Sequence, residues 1–356
     1  MKRIFDQQHK NHYDMVIVGG GISGAFVAYE AASRGLKVAL FEKGDFGEAT
    51  SAATSKLIHG GLRYLANLEF GLVRESLIER RVLENIAPNF VYPLPMLIPT
   101  YKNIKSSKYL LTAGMLLYDL LSFDKSWTWD DSKKIPMHRT IGKKKTKLLA
   151  PLVPQRKLSG SSIFYDCQNI NPERLTLGVI KSAASYGAHM ANYAKMEQLI
   201  VESEIVKGVI VKDLLSGKSH KIDADITINA TGPWSDIVLK TTGNLKNIDH
   251  HIRRSEGIHL IVKKMVDDHA ITIVTKKKRH VFMLPWRNHT IIGTTDKAYS
   301  GKPDDYSVSE KSIAELLEEI NASLDKQYHI SKKDILYSYG GMRPLVEKET
   351  EGTYNA

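Results

Sequence analysis

The chain has 356 residues, 42% of them hydrophobic and 25% charged, the composition of a folded protein long enough for two domains with their own cores. Its 50 lysines and arginines exceed 39 acidic residues, a formal charge of +11. A solvated face or an anionic membrane surface accounts for this excess better than nucleic acid, because no nucleic-acid motif or interleaved aromatics accompany the basic runs at Lys133–Lys134, Lys143–Lys147 and Lys276–His280.

The single Cys167 excludes an internal disulfide and fits a reducing compartment. The polar opening MKRIFDQQHKNHYD is not expected to be a secretory signal, and no apolar run reaches the roughly 18 residues of a spanning helix.

Met15–Val18 is an apolar run ending in glycines, as in a buried parallel strand. Ile22–Arg34 is alanine-rich with helical spacing and stops at Gly35. Lys37–Phe41 reads as a second strand closed by Glu42, completing a strand–helix–strand opening. Phe70–Ala87 repeats apolar residues at helical spacing, and Pro88, Pro93, Pro95 and Pro99 then impose extended backbone. Tyr109–Phe123 reads as a buried or amphipathic helix, with membrane contact as the alternative. Phe123–Pro154 is polar, lysine-rich and proline-punctuated, and is expected to be a surface excursion.

Asn171 followed by Pro172 predicts a capped helix running to about Tyr186. Val206–Asp213, Ser216-Gly217 and Lys218–Ile222 predict a hairpin, and Ile226–Ala230 a strand leading into Thr231-Gly232. Further strands are expected at Gly257–Lys263, Ile271–Thr275, Val281–Pro285, Thr290–Thr294 and Ile335–Tyr339, with a helix over Ser309–Leu324.

Gly19, Gly21 and Gly24 form a G-x-G-x-x-G pattern between the first strand and the first helix. Such glycines permit a tight turn, backbone approach to a pyrophosphate and close helix–strand packing, while Glu42 is placed to bond ribose hydroxyls. A distant strand ending in Ala230-Thr231-Gly232 resembles the second cofactor strand of two-dinucleotide-fold flavoproteins, and that resemblance, joined to the glycine pattern, implies FAD rather than NAD. The richest stretch is Ala49–Leu65, ATSAATSKLIHGGLRYL. Small residues let a planar cofactor approach the backbone, hydroxyls bond phosphate or ring atoms, and Lys56, His59 and Arg63 supply positive charge. Glycines in the middle of a purely structural helix would cost about 1 kcal/mol each.

This stretch closely resembles the signature of the flavin-dependent glycerol-3-phosphate dehydrogenases and α-glycerophosphate oxidases. Ile228–Trp234, Gly257-Ile258-His259, Phe282–Trp286 with Ile291–Asp296, and Gly340–Leu345 resemble further motifs of the same family. The Asp166–Arg174 segment departs from it, with Asn171-Pro172 where acidic residues are usual. Other members continue beyond the equivalent of residue 356, so this chain is expected to be a shortened form or a fragment.

The resemblance implies an α/β fold of mixed α+β character. A Rossmann-like FAD-binding domain (1–100, 155–240 and 335–356) would interleave with a mainly antiparallel substrate domain (101–154 and 241–334). It implies that Gly19, Gly21, Gly24, Glu42, Thr50, Ser51, Ser55, Lys56, Leu57, Gly60, Gly61, Ala230, Thr231 and Gly232 line FAD. It also implies that His59, Arg63, Tyr64 and Arg343 face the substrate, the two arginines holding a phosphate dianion. Thr295-Asp296 is either a turn or functional. No metal site is expected.

The implied reaction is oxidation of sn-glycerol 3-phosphate to dihydroxyacetone phosphate by hydride transfer to flavin. His59 would take the proton or stabilise the oxyanion, and electrons would leave to quinone or oxygen. The alternatives are an FAD-dependent oxidase of an amino acid or hydroxy acid, and an inactive FAD-binding fragment. A cytoplasmic location, peripheral membrane contact on the inner face and a homodimer are further expectations.

Overall fold

The computed structural model describes residues 3–6, 12–102, 108–242, 252–275 and 279–346. The basic run at 276–278 and the C-terminal part of the 335–356 segment lie outside the described residues. Among the described residues the strands form a six-stranded and a ten-stranded sheet.

In the six-stranded sheet His12–Val18 runs parallel to both Val38–Phe41 and Ser219–Asn229, and Val38–Phe41 runs parallel to His189–Ala191. Ile205–Asp213 and Ala194–Glu202 extend it antiparallel. Alternation along the central strand explains its unbroken apolar run. Val16 and Val18 join one core with Ala39 and Phe41, while Ile17 joins the opposite core with Ala25, Ala28 and Leu40. The helix Ile22–Ser33 presents alanines to the sheet and therefore packs close to it. The helix Pro172–Ser185 lies beside it, with Ile180 and Ala183 in the same core. Its cap is the predicted one, the Asn171 carboxamide oxygen accepting from Arg174 N–H at 3.2 Å.

The ten-stranded sheet runs Lys297–Tyr299, Ile252–Lys263, His289–Gly293, His280–Trp286, Ala270–Val274, Val91–Tyr101, Leu158–Asn169, Leu57–Ile58. Ile335–Val346 pairs antiparallel with Ile252–Lys263, and Arg139–Gly142 with Leu158–Asn169. Among the described pairings of this sheet, only Ala270–Val274 with Val91–Tyr101 is parallel. Pro93, Pro95 and Pro99 stand at alternate positions of Val91–Tyr101, so their missing N–H groups fall on one edge. Glu310–Asn321, capped by the Ser309 hydroxyl, packs Leu316 and Ile320 into the core of this sheet.

Several boundaries differ from the sequence reading. Val91–Tyr101, Leu158–Asn169 and Ile335–Val346, grouped above with the cofactor half, hydrogen-bond within the ten-stranded sheet, where pairing overrides chain order. Lys218–Ile222 and Ile226–Ala230 belong to one strand, Ser219–Asn229.

Phe123–Pro154 is not a loose excursion. It contributes the edge strand Arg139–Gly142 and the helix Lys143–Leu149, and buries Ala150, Leu152 and Val153. Lys133 is buried rather than solvated, its Nζ donating to the Pro88 and Val91 carbonyls at 2.8 and 2.9 Å. The predicted amphipathic helix spans Lys108–Leu121. Met115 and Tyr118 point inward and Asp119 pairs with Lys125, while Tyr109, Leu110, Leu116 and Leu120 are exposed.

Candidate functional site

The glycine loop lies at the carboxyl end of the parallel strands. Gly19 takes φ +109°, its N–H donates to Phe41 O at 2.8 Å, and Ala230 N–H donates to Val18 O at 2.8 Å. A Cβ on Gly24 would stand 1.9 Å from the Gly19 carbonyl oxygen, so only glycine lets the helix approach this closely. Gly21 is the N-cap residue of Ile22–Ser33, and Ser51 Oγ accepts from Ile22 N–H at 2.9 Å. The amides of Ser23 and Gly24, also in the first turn, have no acceptor within the helix. Glu42 ends its strand with a carboxylate fixed by the N–H groups of Gly20 (2.7 Å) and Gly44 (2.8 Å). Ala230, Thr231 and Gly232 follow the neighbouring parallel strand, bringing the second dinucleotide element beside the first. This cradle fits a dinucleotide, with amides for the pyrophosphate and a positioned acid for the ribose.

Residues 49–58 tie this cradle to the large sheet. Thr50 Oγ1 donates to Met342 O at 2.8 Å, and Tyr339 Oη to Thr54 O at 3.0 Å. Ser55 Oγ lies 2.8 Å from His259 Nε2. Lys56, at φ +56°, buries its ammonium 3.2 Å from Glu173 Oε1 and 5.5 Å from each of the Trp286 and Tyr339 ring centroids. Leu57 and Ile58 then pair with Gln168 and Cys167.

Arg343 stands on Ile335–Val346 opposite Ser255. Its Nη2 donates to Thr294 Oγ1 at 3.0 Å and its Nη1 to Thr295 O at 3.2 Å, with the Asp296 carboxylate 3.8 Å away. A Cβ on Gly257 would stand 2.5 Å from Arg343 Nη2, so this glycine makes room for the guanidinium. Thr295 and Asp296 are braces, Thr295 Oγ1 accepting from Ile258 N–H at 3.0 Å and Asp296 from the Ser255 hydroxyl.

Between Lys56 and Arg343 lies a residue missing from the sequence-derived site. His259 is fully buried and stacks on Tyr339 with centroids 4.8 Å apart and planes 13° apart. Burial, then the charges of Arg343 and Lys56, pull its pKa down to about 3, so it is a neutral imidazole at neutral pH. Its Nδ1 is buried with no hydrogen-bond partner among the described residues. A histidine inside the otherwise apolar run Ile258–Val262 was the available signal, as was its place in the G-x-H motif. Trp286 stood in the Phe282–Trp286 motif; Tyr339 and Glu173 had no such signal, because only the fold brings them to Lys56.

The expected substrate loop lies farther along. His59 is exposed and opens on a pocket of about 400 Å³ shared with Leu72, Glu75, Ser76 and Glu79. Its Nδ1 accepts from Gly61 N–H at 3.1 Å. Gly60 is buried, and Gly61, at φ +68°, is the N-cap of the short helix Leu62–Ala66. Tyr64 on that helix is exposed; the side chain of Arg63 lies outside the described residues.

A glycine loop at the end of a parallel sheet, closed against a large mainly antiparallel sheet that carries the buried Lys56 and the half-buried Arg343, defines a dinucleotide-dependent oxidoreductase fold. The chain belongs to the FAD dependent oxidoreductase (DAO) family, whose profile matches residues 14–353. It is 36% identical over 354 residues to a glycerol-3-phosphate dehydrogenase of Synechocystis, covering 96% of this chain and 62% of that protein. It is 34% identical over 349 residues to the aerobic glycerol-3-phosphate dehydrogenase of Bacillus subtilis, covering 98% and 61%. Among solved structures, the glycerol-3-phosphate dehydrogenase of Bacillus halodurans complexed with FAD is similar at TM-score 0.75 and 27% identity, covering 95% of this chain and 58% of that one. The chain thus spans about three fifths of the length of these relatives.

Proposed function

We propose that this chain binds FAD and oxidises sn-glycerol 3-phosphate to dihydroxyacetone phosphate. The observation that carries this reading is geometric: buried Lys56 lies 5.5 Å from the Tyr339 ring on which His259 stacks, and Arg343 sits in the space left by Gly257 two residues before His259. A cationic pocket of this kind selects an anion, and a fork-shaped guanidinium held by Thr294 and Thr295 is oriented to grip a phosphate. Arg63, which the resemblance places at the substrate, would supply the second cation for a dianion. A carboxylate substrate would need only one such contact.

Gly19–Gly24, Glu42, Ser51 and Ala230–Gly232 would hold the dinucleotide, with Thr50, Ser55 and Lys56 along its ring. When bound, FAD accepts the hydride of the alcohol. The rest falls to the chain. Arg343 would hold the phosphate, and the buried Lys56, paired with Glu173, places its ammonium beside Trp286 and Tyr339. Because His59 Nδ1 accepts from Gly61 N–H, its neutral ring carries the proton on Nε2. His59 would therefore donate a hydrogen bond to the developing oxyanion, and the hydroxyl proton released as the hydride leaves would pass to the solvent that reaches this exposed loop. His259, neutral and enclosed, keeps a ring nitrogen without a hydrogen-bond partner among the described residues.

Electrons pass to a membrane quinone in this reading. Its support is the outward face of Lys108–Leu121, where no charged residue interrupts Tyr109, Leu110, Leu116 and Leu120. Thr112 Oγ1 and Thr140 Oγ1, 3.1 Å apart, tie this helix to the strand that leads into the lysine-rich helix Lys143–Leu149. An apolar face beside exposed lysines suits an anionic bilayer surface.

The test is Arg343→Gln. Removing a charge-assisted phosphate contact is expected to cost about 3 kcal/mol, roughly a hundredfold in kcat/KM for glycerol 3-phosphate. FAD content should be unchanged. An unchanged kcat/KM would refute the assignment of Arg343 to the phosphate.

A further inference from the structure

Beneath the substrate loop lies a buried ionic cluster that the proposed chemistry does not use. Arg80 on Phe70–Ile86 is 1% exposed, and Asp166 on Leu158–Asn169 is 2% exposed. One oxygen, Asp166 Oδ1, accepts three hydrogen bonds: from Arg80 Nη1 at 2.6 Å, Tyr118 Oη at 2.8 Å and Gly60 N at 3.1 Å. Arg80 also donates to Tyr165 O at 3.1 Å. Burial, followed by the Asp166 carboxylate, pushes the Tyr118 phenol well above its usual range, so it stays a donor. Burial raises the pKa of Glu84, one turn along from Arg80, above its ordinary value.

A buried ion pair is a poor device for stability, since desolvation offsets much of its attraction and an apolar pair of similar volume often serves as well. Its position suggests another use. Gly60 is pressed against this cluster: a Cβ there would stand 2.3 Å from both Tyr118 Oη and Leu77 Cδ2. The next residue, Gly61, adopts the left-handed conformation that starts the helix Leu62–Ala66. The carboxylate thus fixes an amide that lies between residues expected at the substrate, His59 on one side and the Arg63–Tyr64 turn on the other. Two helices remote in sequence thus meet the Gly60 N–H on one carboxylate oxygen of Leu158–Asn169.

We infer that Asp166 is a positioning residue for the 59–64 loop, with Arg80 and Tyr118 serving to orient and charge its acceptor oxygen. The kinetic arm of the test rests on the proposed glycerol 3-phosphate reading; the exchange arm does not.

The test compares two double variants of the FAD-loaded chain. Arg80→Met with Asp166→Leu removes both charges at similar volume, so the fold is retained, but leaves Gly60 N–H without an acceptor. Arg80→Met with Asp166→Asn restores an acceptor oxygen. Hydrogen exchange over residues 57–66 is expected to speed about tenfold in the Leu variant and to recover within about threefold in the Asn variant, other segments being unaffected. KM for glycerol 3-phosphate should rise about tenfold and recover in the same pattern, with the visible flavin spectrum unchanged. Unchanged exchange and KM in the Leu variant would overturn the inference, as would a loss of protection spread over the whole chain or left unrescued by Asn. If the unaltered chain fails to respond to glycerol 3-phosphate, the functional reading falls and exchange alone decides the role of Asp166.

Discussion

At the scale of the residue, the site is governed by what burial does to charge. His259 is enclosed between Lys56, Arg343 and Tyr339, and its pKa of about 3 lies far below the ordinary value of about 6.5. The unfolded chain therefore binds a proton below pH 6.5 that the folded chain refuses until near pH 3. Stability must rise with pH across that window and fall as the solution is acidified through it. Between pH 6.5 and 5.0 this one group should remove about 1.6 kcal/mol of unfolding free energy. Urea denaturation of the unaltered chain and of His259→Gln at those two pH values checks the claim. The pH dependence should shrink by that amount in the variant, and an identical slope in both would contradict it. Histidine in an apolar strand was visible in the sequence; its two cationic neighbours were not, because Lys56 and Arg343 lie far apart in the chain and meet only through the large sheet.

At the scale of the element, the clearest features were those whose physics is local. The first strand, the alanine-rich helix, Gly35, the second strand and Glu42 stand as read, because each depends on apolar periodicity and glycine placement within a few residues. The glycine loop makes a sharp prediction. Gly24→Ala places a methyl group against the Gly19 carbonyl, a backbone atom that cannot move without opening the cradle. This variant should lose FAD retention and at least about 2 kcal/mol of stability. FAD stoichiometry after gel filtration and the thermal midpoint report both quantities, and normal flavin content would exclude a tight loop here. Long-range pairing was not legible. Nothing local says that Leu57–Ile58 finds Leu158–Asn169, or that Arg139–Gly142 joins the same strand. Lys133 misled for the same reason: its basic neighbours suggest solvent, while its ammonium is taken inside by the carbonyls of Pro88 and Val91.

At the scale of the molecule, two sheets meet along residues 49–58, so cofactor cradle and cationic pocket are one structure rather than two. Among the described residues no helix is long and apolar enough to cross a membrane, and the exposed stripe on Lys108–Leu121 is a surface feature. Leu116→Glu with Leu120→Glu puts charge on that stripe without touching the core. Flotation with anionic phosphatidylserine vesicles should fall about tenfold or more in this variant, with the thermal midpoint retained. Equal flotation of both proteins would remove the bilayer from the account.

The most direct test of the whole is the visible absorbance of the purified, FAD-loaded chain under anaerobic conditions, before and after glycerol 3-phosphate is added. The account predicts a yellow protein that bleaches on addition of glycerol 3-phosphate and keeps its colour with glycerol alone. A yellow protein indifferent to glycerol 3-phosphate would contradict the assigned substrate, and a chain that takes up no FAD would contradict the cofactor cradle itself.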